Sequence, residues 1–486
     1  MTLTSNQPKN ILYIPSATSG TGIAGGEVYL LSAMRHLDRN LYNPIVLLPG
    51  DEGGFRAALN ELDVHSIVLK FNYGWLKQDR AWYTFLSGIS DRINKIGEII
   101  DEYHIDLVHT NSNIFLEGAL AARLKGIRHI LIVHIPFLEN QPLFQRLRLS
   151  PSSFASLIND ISDHIIAVSE PTAETLRPYV PDTNLTVINV GLELDVYKKA
   201  ANKQTSNIRS ELNLKENTPL VVAVGRIHPD KGFDVLIEAA ALVIEKRPDV
   251  SFLVLGSKDV IDYYKQLEAR LLALNIQGNF IFLDFRSDVP EVLSQCDIFA
   301  LTSVSEGGPY VLLEAIICRC AVVATKCGGI VEKVIKDRDS GLLIEVGDFQ
   351  SLANNILMLL NDSELSSHLC DKAYEIVTGN FEAKQSINEL MVVYNKVLVN
   401  PVNTSGTYAI DFFKQAAGEY GHLGLRLEEL YERFTRVENL ANKVLNNQIY
   451  NYFKKFTHLG KLIQVNRSGN TKLTGSYKSI RVINDD

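Results

Sequence analysis

The stretch Asp297–Cys327, DIFALTSVSEGGPYVLLEAIICRCAVVATKC, contains the pattern that decides the fold. A short apolar run, DIFALTS, is followed by a turn with two glycines and a proline, by the helical run YVLLEAII, and by a second β-rich run, AVVATKC. A strand, a helix and a strand in this order are typical of a parallel sheet covered by helices. Because proline favours the first turn of a helix, Glu306 is predicted in the loop and Glu314 in the second helical turn.

The same alternation of strands and helices recurs along most of the chain. One series runs from the strand NILYIPS at residues 10–16 to the strand LTVINVG at residues 185–191. A second series begins with PLVVAVGRI at residues 219–227 and ends with the helix LANNILMLLND at residues 352–362. Two such series predict an α/β protein with two facing, Rossmann-like, doubly wound parallel-sheet domains. Ligands of such sheets bind at the carboxyl ends of the strands, so the cleft is the expected site.

The domain boundaries follow from composition. The polar stretch at residues 200–218 has no long apolar run, so we expect a first domain over residues 1–200 and a second over residues 201–380. The helical pattern at residues 381–399 predicts a helix that crosses back to the first domain, and residues 400–486 form a helical and basic extension. A length of 486 residues agrees with two or three domains.

Composition and charge narrow the classes of function. The net charge of −8 argues against a general nucleic-acid binder. The five cysteines lack the spacing of a zinc site, and we expect buried, reduced thiols. The Asp-Arg-Asp segment at residues 337–339 lies at a predicted helix end and is expected to be solvated, so no metal site is predicted. We find neither a leader-like N-terminus nor a long apolar run and therefore expect a cytoplasmic protein.

Polar or flexible residues follow predicted strands in three places. Gly25 and Gly26 come just before a predicted helix, where a ligand can approach the backbone and the helix N-terminus attracts anions; a flexible turn is the alternative. Arg226 follows a strand and Lys231 comes five residues later, a pair of cations suited to a pyrophosphate. Two solvated surface charges are the alternative there.

The third place holds the two glutamates of the opening stretch. Burial of a polar group without a partner costs about 2–7 kcal/mol, so a carboxylate among apolar neighbours needs hydrogen-bond donors. Sugar or ribose hydroxyls would serve. We expect Glu306 at the mouth of the site and Glu314 deeper inside it; two exposed surface acids are the alternative.

These residues resemble the motifs of the retaining glycosyltransferases of family 4, the group 1 transferases with the GT-B fold. The acid-x7-acid signature is present as EGGPYVLLE at residues 306–314, and the Arg and Lys pair as GRIHPDKG at residues 225–232. The glycine pair, HIP with His134, AVSE, NVG and CGGIVEKVI follow the usual order. The resemblance covers roughly residues 8–395 and rests on several independent motifs.

The resemblance implies roles for these residues. The donor site that it implies comprises Gly25, Gly26, Arg226, Lys231, Gly307, Gly308, Pro309, Tyr310 and Glu314. Arg226 and Lys231 would neutralise the leaving diphosphate, and Glu314 would hold the ribose hydroxyls. Two catalytic residues are implied: Glu306 would contact hydroxyls near the reacting carbon of the donor sugar, and His134 would hydrogen-bond the sugar or stabilise charge. A histidine of the core is the alternative for His134.

The resemblance also implies the reaction. A retaining hexosyltransferase would move a sugar from a UDP- or GDP-sugar, with its base beside Arg286, to a glycan or lipid-linked acceptor. No metal and no further cofactor are implied, and the setting would be bacterial-type polysaccharide or glycolipid synthesis at the inner face of the membrane. The alternatives are a glycogen-, starch- or sucrose-forming enzyme, a nucleotide-sugar epimerase of this fold, and a non-catalytic GT-B scaffold.

Three segments suggest partners. Apolar residues at residues 423–444 follow heptad steps, which predicts an oligomerisation coil or, equally, a helix that packs on the protein itself. Residues 443–483 carry eight basic and no acidic residues, which favours contact with anionic lipids over a disordered tail. Aromatic and basic residues at residues 71–85 suit a lipid-linked acceptor or a plain amphipathic helix.

Overall fold

The computed structural model describes residues 7–15, 25–50, 54–70, 89–112, 115–139, 144, 150–201, 207–402 and 433. Over these residues the chain forms two parallel β-sheets, one in each half, with helices between successive strands. Along the first strand, Ile11 and Tyr13 point into one apolar cluster, whereas Leu12 and Ile14 point into another. The strand is thus buried on both faces, as doubly wound parallel sheets require. The predicted fold class is confirmed.

The first sheet has seven strands in the order β3-β2-β1-β4-β5-β6-β7. Its strands are Lys9–Pro15 (β1), Tyr42–Leu48 (β2), His65–Val68 (β3), Leu107–Asn111 (β4), Arg128–Val133 (β5), His164–Ala167 (β6) and Leu185–Val187 (β7). The described helices around it are Gly25–His36 (α1), Gly54–Glu61 (α2), Ile89–Glu102 (α3), Glu117–Lys125 (α4), Pro151–Ile161 (α5) and Glu170–Leu176 (α6). The hydroxyls of Ser150 and Ser169 cap the last two helices by accepting a backbone N–H, and proline follows in the first turn.

The second sheet has six strands in the order β10-β9-β8-β11-β12-β13. Its strands are Leu220–Val224 (β8), Ser251–Leu255 (β9), Phe280–Leu283 (β10), Ile298–Leu301 (β11), Ala321–Thr325 (β12) and Leu342–Ile344 (β13). The remaining helices are Leu194–Ala201 (α7), Ile208–Glu211 (α8), Phe233–Lys246 (α9), Ile261–Leu274 (α10), Val289–Leu293 (α11), Tyr310–Ile317 (α12), Val331–Val334 (α13), Phe349–Asn361 (α14), Ser363–Asn380 (α15) and Ala383–Val399 (α16). Short 3-10 helices span Asp182–Asn184 and Pro229–Lys231.

Each sheet has a point at which the order of its strands reverses. In the first sheet this point lies between β1 and β4, and in the second between β8 and β11. A crevice forms beyond the carboxyl ends of two such strands, because their connections leave toward opposite faces. Among the described residues, those that follow β4, β8 and β11 therefore lie at these crevices.

The two domains are joined by a linker and by a returning helix. The N–H of Leu192 donates to the carbonyl of Phe381 at 2.8 Å, and the N–H of Ala383 donates to the carbonyl of Leu192 at 3.0 Å. From there α16 runs back to the first sheet. The hydroxyl of Tyr394 lies against Nδ1 of His109 and donates to the hydroxyl of Tyr13 at 3.0 Å. The end of the second domain is thereby anchored to the core of the first.

Several sequence-based predictions concern residues that the structure leaves undescribed. The segment at residues 71–85, the tail at residues 443–483 and, apart from residue 433, the heptad pattern at residues 423–444 lie outside the described residues. Within the described part of the chain, no helix has the length and apolar character needed to cross a bilayer. All five cysteines are free thiols, and four of them are buried, whereas Cys370 is partly exposed.

Candidate functional site

An ion pair between Lys231 and Glu306 lies at the carboxyl ends of β8 and β11. Nζ of Lys231 donates to Oε1 of Glu306 at 2.6 Å, and the hydroxyl of Ser303 donates to the same oxygen at 2.7 Å. The two charged side chains are only 21% and 13% exposed. Burial lowers the pKa of Lys231, but Glu306 and Asp230 together outweigh burial and the pKa is raised. The site therefore holds a partly buried ammonium group that stays charged.

Backbone contacts fix both partners of this pair. The hydroxyl of Thr302 donates to the carbonyl of Lys231 at 2.8 Å, which ties the end of β11 to the loop after β8. The N–H of Glu306 donates to the carbonyl of Cys327 at 2.9 Å, which ties its loop to the end of β12. Three strand ends thus hold one cation and one carboxylate in place.

Arg226 supplies a second cation beside the first. It follows Gly225 at the end of β8, and its side chain is 49% exposed. Its Nη1 donates to Asp259 at 3.1 Å, and Asp259 also accepts the hydroxyl of Ser257 at 2.6 Å. The side chain of Lys231 lies over Gly225, with its Cδ 3.5 Å from where a Cβ would stand. Arg226 and Lys231 are therefore neighbours at the end of one strand.

Glu314 lies on α12 between the fully buried residues Leu313 and Ala315. Its Oε1 accepts the hydroxyl of Tyr197 on α7 at 2.8 Å. Burial raises the pKa of Glu314 to about 6, and the hydrogen bond from Tyr197 opposes that rise. The carboxylate is costly to ionise where it stands, so it is suited to accept further hydroxyl donors.

His134 follows β5 and belongs to a hydrogen-bonded chain in the first domain. The amide nitrogen of Asn111 donates to the carbonyl of Gly26 at 2.7 Å, which turns its Oδ1 toward Nε2 of His134, 2.8 Å away. Nε2 therefore carries the hydrogen and donates, and Nδ1 is left as an acceptor. Burial lowers the pKa of His134 to about 4, so the ring is neutral near pH 7. The edge of the ring packs against Tyr29 with centroids 6.3 Å apart.

The loop that carries Glu306 touches the first domain directly. A Cβ on Gly307 would stand 1.6 Å from the carbonyl oxygen of His134. Gly329, with a φ of +65°, packs against the same loop, and a Cβ there would stand 2.3 Å from the carbonyl oxygen of Gly307. Only glycine permits these two approaches of backbone to backbone. The two halves of the candidate site therefore meet at Gly307.

The remaining residues of the predicted donor site also lie at this junction. α1 begins at Gly25, so Gly25 and Gly26 form its first turn and do not precede it as expected. A Cβ on Gly25 would stand 3.2 Å from the ring of Tyr310, the first residue of α12, and Pro309 immediately precedes that helix. A Cβ on Gly308 would stand 3.0 Å from Val190 of the first domain. The first turns of α1 and α12 thus face each other across the cleft.

Arg286 lies apart from these contacts. It forms a bidentate ion pair with Asp288 at 2.8 and 2.7 Å and a third hydrogen bond to Glu211 at 2.6 Å. The guanidinium is therefore hydrogen-bonded to two carboxylates of the protein. The contact of Arg286 with a nucleotide base stays a prediction. Among the described residues, no three His, Cys, Asp or Glu side chains converge in a way that could hold a metal ion.

The structure adds residues that the sequence analysis did not single out. Asn111 orients His134, and its position at the end of β4 is a signal of the same kind as that of Arg226 after β8. Asp259 holds Arg226, and Ser303 holds Glu306. Tyr197 donates to Glu314 from the helix α7, so it does not directly follow a strand and the strand-end pattern could not identify it.

Comparison with protein families matches both domains. The family "Glycosyl transferases group 1" matches residues 204–376, and the family "Glycosyltransferase Family 4" matches residues 23–196. Together the two matches span well over half of the chain and include the Lys231–Glu306 pair, Arg226, Glu314 and His134.

Individual relatives are more distant. The UDP-Gal:alpha-D-GlcNAc-diphosphoundecaprenol alpha-1,3-galactosyltransferase of Escherichia coli is 25% identical over 312 residues, which cover 62% of this chain and 78% of the relative. The N,N'-diacetylbacillosaminyl-diphospho-undecaprenol alpha-1,3-N-acetylgalactosaminyltransferase of Campylobacter jejuni is 27% identical over 368 residues, 73% and 91% of the two chains. The structure of Anabaena HepE with UDP-glucose shares the fold, with a TM-score of 0.65 and 24% identity over 79% of this chain and 99% of HepE. The chain belongs to the group 1, family 4 glycosyltransferases and has their GT-B fold.

Proposed function

We propose that the protein transfers a sugar from a UDP-sugar to a lipid-linked or glycan acceptor, with retention of the anomeric configuration and without a bound metal. The observation that carries the proposal is the placement of Lys231, Arg226 and Glu306 at the ends of β8 and β11. The names of the relatives support the choice of substrates, since one uses UDP-galactose, two act on diphosphoundecaprenol-linked sugars, and HepE binds UDP-glucose. A lipid-linked acceptor would bring the enzyme to the cytoplasmic face of a membrane.

The charges of the site suit the departure of a nucleoside diphosphate. Glycosyl transfer develops positive charge on the sugar and negative charge on the leaving diphosphate. In the proposed complex Lys231 and Arg226 lie against the diphosphate, and the first turns of α1 and α12 present backbone N–H groups to it. These groups are in place before the reaction, so they stabilise the leaving charge without reorganisation. Glu306, held by Lys231 and Ser303, stays beside the reacting sugar.

The neutral state of His134 favours one of its two implied roles. A ring whose pKa is about 4 carries no positive charge near pH 7. With Nε2–H donated to Asn111, Nδ1 remains as an acceptor for a sugar hydroxyl. The proposed role is therefore to orient the sugar.

The test is a transfer assay with an undecaprenyl-diphosphate-linked N-acetylhexosamine acceptor and a panel of UDP- and GDP-hexoses and N-acetylhexosamines, with EDTA present throughout. We expect an acceptor product heavier by one sugar residue with one UDP-sugar, and an anomeric proton coupling that matches the donor. Turnover of a GDP-sugar instead would overturn the choice of base. Conversion of the donor sugar without acceptor would indicate an epimerase, and a lack of both activities would favour a scaffold.

Binding of the donor is expected to weaken below about pH 6. Glu314 accepts ribose hydroxyls best when ionised, and its pKa in the free protein is about 6. Below that pH the dissociation constant of UDP-glucose should rise by up to about tenfold per pH unit, because proton binding competes with the ligand. Calorimetric titration from pH 5 to pH 8 measures this. UDP-glucose is the probe because it lacks the terminal phosphate of UDP, which itself titrates at about pH 6.

The Glu314→Gln variant serves as the control for that titration. It should bind UDP-glucose more weakly at pH 8 and should lose the dependence near pH 6. The pKa of His134, about 4, lies below the window and does not contribute. A variant that retains the dependence would show that another group is responsible.

A further inference from the structure

The carboxylate of Glu314 depends on one side chain for its orientation. Tyr197 donates to its Oε1 at 2.8 Å, and Oε2 accepts no side-chain hydrogen bond within the described part of the chain. Leu313 and Ala315, on either side of it in α12, are apolar and buried, and the hydroxyl of Tyr310 one turn earlier makes no hydrogen bond within the described part of the chain. Without Tyr197 the carboxylate would lose the side-chain donor that the structure shows and would take up a proton more readily.

Burial and the nearby carboxylate both raise the pKa of Tyr197 well above that of an ordinary tyrosine. The phenol therefore keeps its proton and acts as a donor at any physiological pH. The same hydrogen bond lowers the pKa of Glu314, which favours the ionised carboxylate. Tyr197 thus acts on both the orientation and the charge of Glu314.

Tyr197 also lies close to the linker that joins the domains. Its helix, α7, begins two residues after Leu192, which hydrogen-bonds to Phe381 and Ala383 at the crossing of the chain. The preceding residue, Glu193, contacts Nε2 of His36 on α1 at 3.0 Å. A rotation of one domain against the other at this linker would therefore displace Tyr197.

We propose that Tyr197 is a positioning residue for donor recognition, which holds the carboxylate of Glu314 with one oxygen so that the other accepts a ribose hydroxyl. The proposal rests on the proposed function, because it assumes that a nucleoside diphosphate occupies the cleft. It extends that function by assigning ribose selectivity to a contact between the linker helix and α12.

The experiment compares UDP with 2′-deoxy-UDP and 3′-deoxy-UDP by calorimetry at pH 8, and GDP with its deoxy forms in the same way. Wild-type protein should bind the ribose form of one nucleotide about tenfold more tightly than at least one deoxy form, as expected for a hydrogen bond to a charged group. Tyr197→Phe should weaken binding of the ribose form about tenfold and leave the deoxy form nearly unchanged. The selectivity for ribose should therefore nearly disappear.

Two further variants separate positioning from general damage. Tyr263→Phe is the matched control, since Tyr263 also donates to a carboxylate at 2.8 Å, that of Asp234, outside the site. It should bind like wild type. The double variant Tyr197→Phe with Glu314→Gln should bind no more weakly than Glu314→Gln alone, because the tyrosine acts through the glutamate.

The outcomes distinguish the two proposals. A wild-type protein that binds no nucleoside diphosphate overturns the proposed function. Binding and ribose selectivity that persist in Tyr197→Phe overturn the role of Tyr197 and leave the function intact. Additive losses in the double variant, or equal losses for ribose and deoxyribose ligands, would mean that Tyr197 only supports the packing of α7.

Discussion

Replacing Lys231 by alanine should lower kcat by about 10²–10³-fold, the range found when one preorganised donor to a developing anion is removed. Lys231 is the partly buried cation of the site, and it bonds to Glu306 at 2.6 Å. Its loss removes charge that the leaving diphosphate needs and frees Glu306 beside the donor sugar. Steady-state kinetics with the UDP-sugar that the wild type uses would measure the effect.

The control for this variant is a lysine in an ion pair on the surface of the same domain. Lys372 donates to Glu375 at 3.2 Å and is half exposed, so Lys372→Ala should leave kcat within about twofold of wild type because exposed pairs contribute little. Thermal denaturation of Lys231→Ala would show how much stability is lost when the buried carboxylate is left without its cation. Turnover of a folded Lys231→Ala variant at the wild-type rate would refute the assignment of the diphosphate site.

Gly307→Ala should lower kcat to a similar extent, although it adds only one methyl group. The added Cβ would stand 1.6 Å from the carbonyl oxygen of His134, so backbone must move on one side of the cleft. A displacement of about 1 Å between reacting groups can cost about 10²-fold in rate. Because Lys231, Arg226 and Glu314 all lie in the second domain, binding of UDP should weaken far less than turnover.

Gly379→Ala is the matched control for this substitution. Gly379 lies near the end of α15, and a Cβ there would meet nothing within 4 Å. It should have wild-type kinetics. If Gly307→Ala turns over at the wild-type rate, the close approach of the two domains at His134 is not required for the reaction.

The sequence predicts the fold well because strands and helices leave local signals. Apolar runs bounded by polar turns locate the strands, and Pro309 locates the start of α12, so Glu306 falls in the loop and Glu314 in the helix as expected. The start of α1 is the exception. A pair of glycines normally argues against helix, but Gly25 and Gly26 lie in its first turn, where the packing of Tyr310 against Gly25 leaves little room for a side chain.

The pairing of charges in the site is not readable from local patterns. Lys231 and Glu306 are 75 residues apart in the chain and meet because β8 and β11 are neighbours in the sheet. The order of strands, unlike their positions, is a property of the whole fold. The sequence indicated which residues lie at strand ends but not that these two bond to each other.

Residues that act on the site from other elements were missed for the same reason. Tyr197 precedes both the second sheet and its own partner Glu314, and its helix has the composition of an ordinary surface helix. Asn111 lies at the end of β4, yet its contacts with Gly26 and His134 require three separate segments to converge. Such contacts become visible only when the domains are assembled.

The diphosphate site can be tested directly by calorimetric titration of UDP into wild-type protein and Lys231→Ala, both in EDTA, with Lys372→Ala as the control. We expect one metal-independent site in the wild type and the control, and an affinity at least about tenfold lower in Lys231→Ala, since a charge-assisted contact to phosphate is lost. Equal affinity in all three proteins, or no binding of UDP to the wild type, would contradict this expectation.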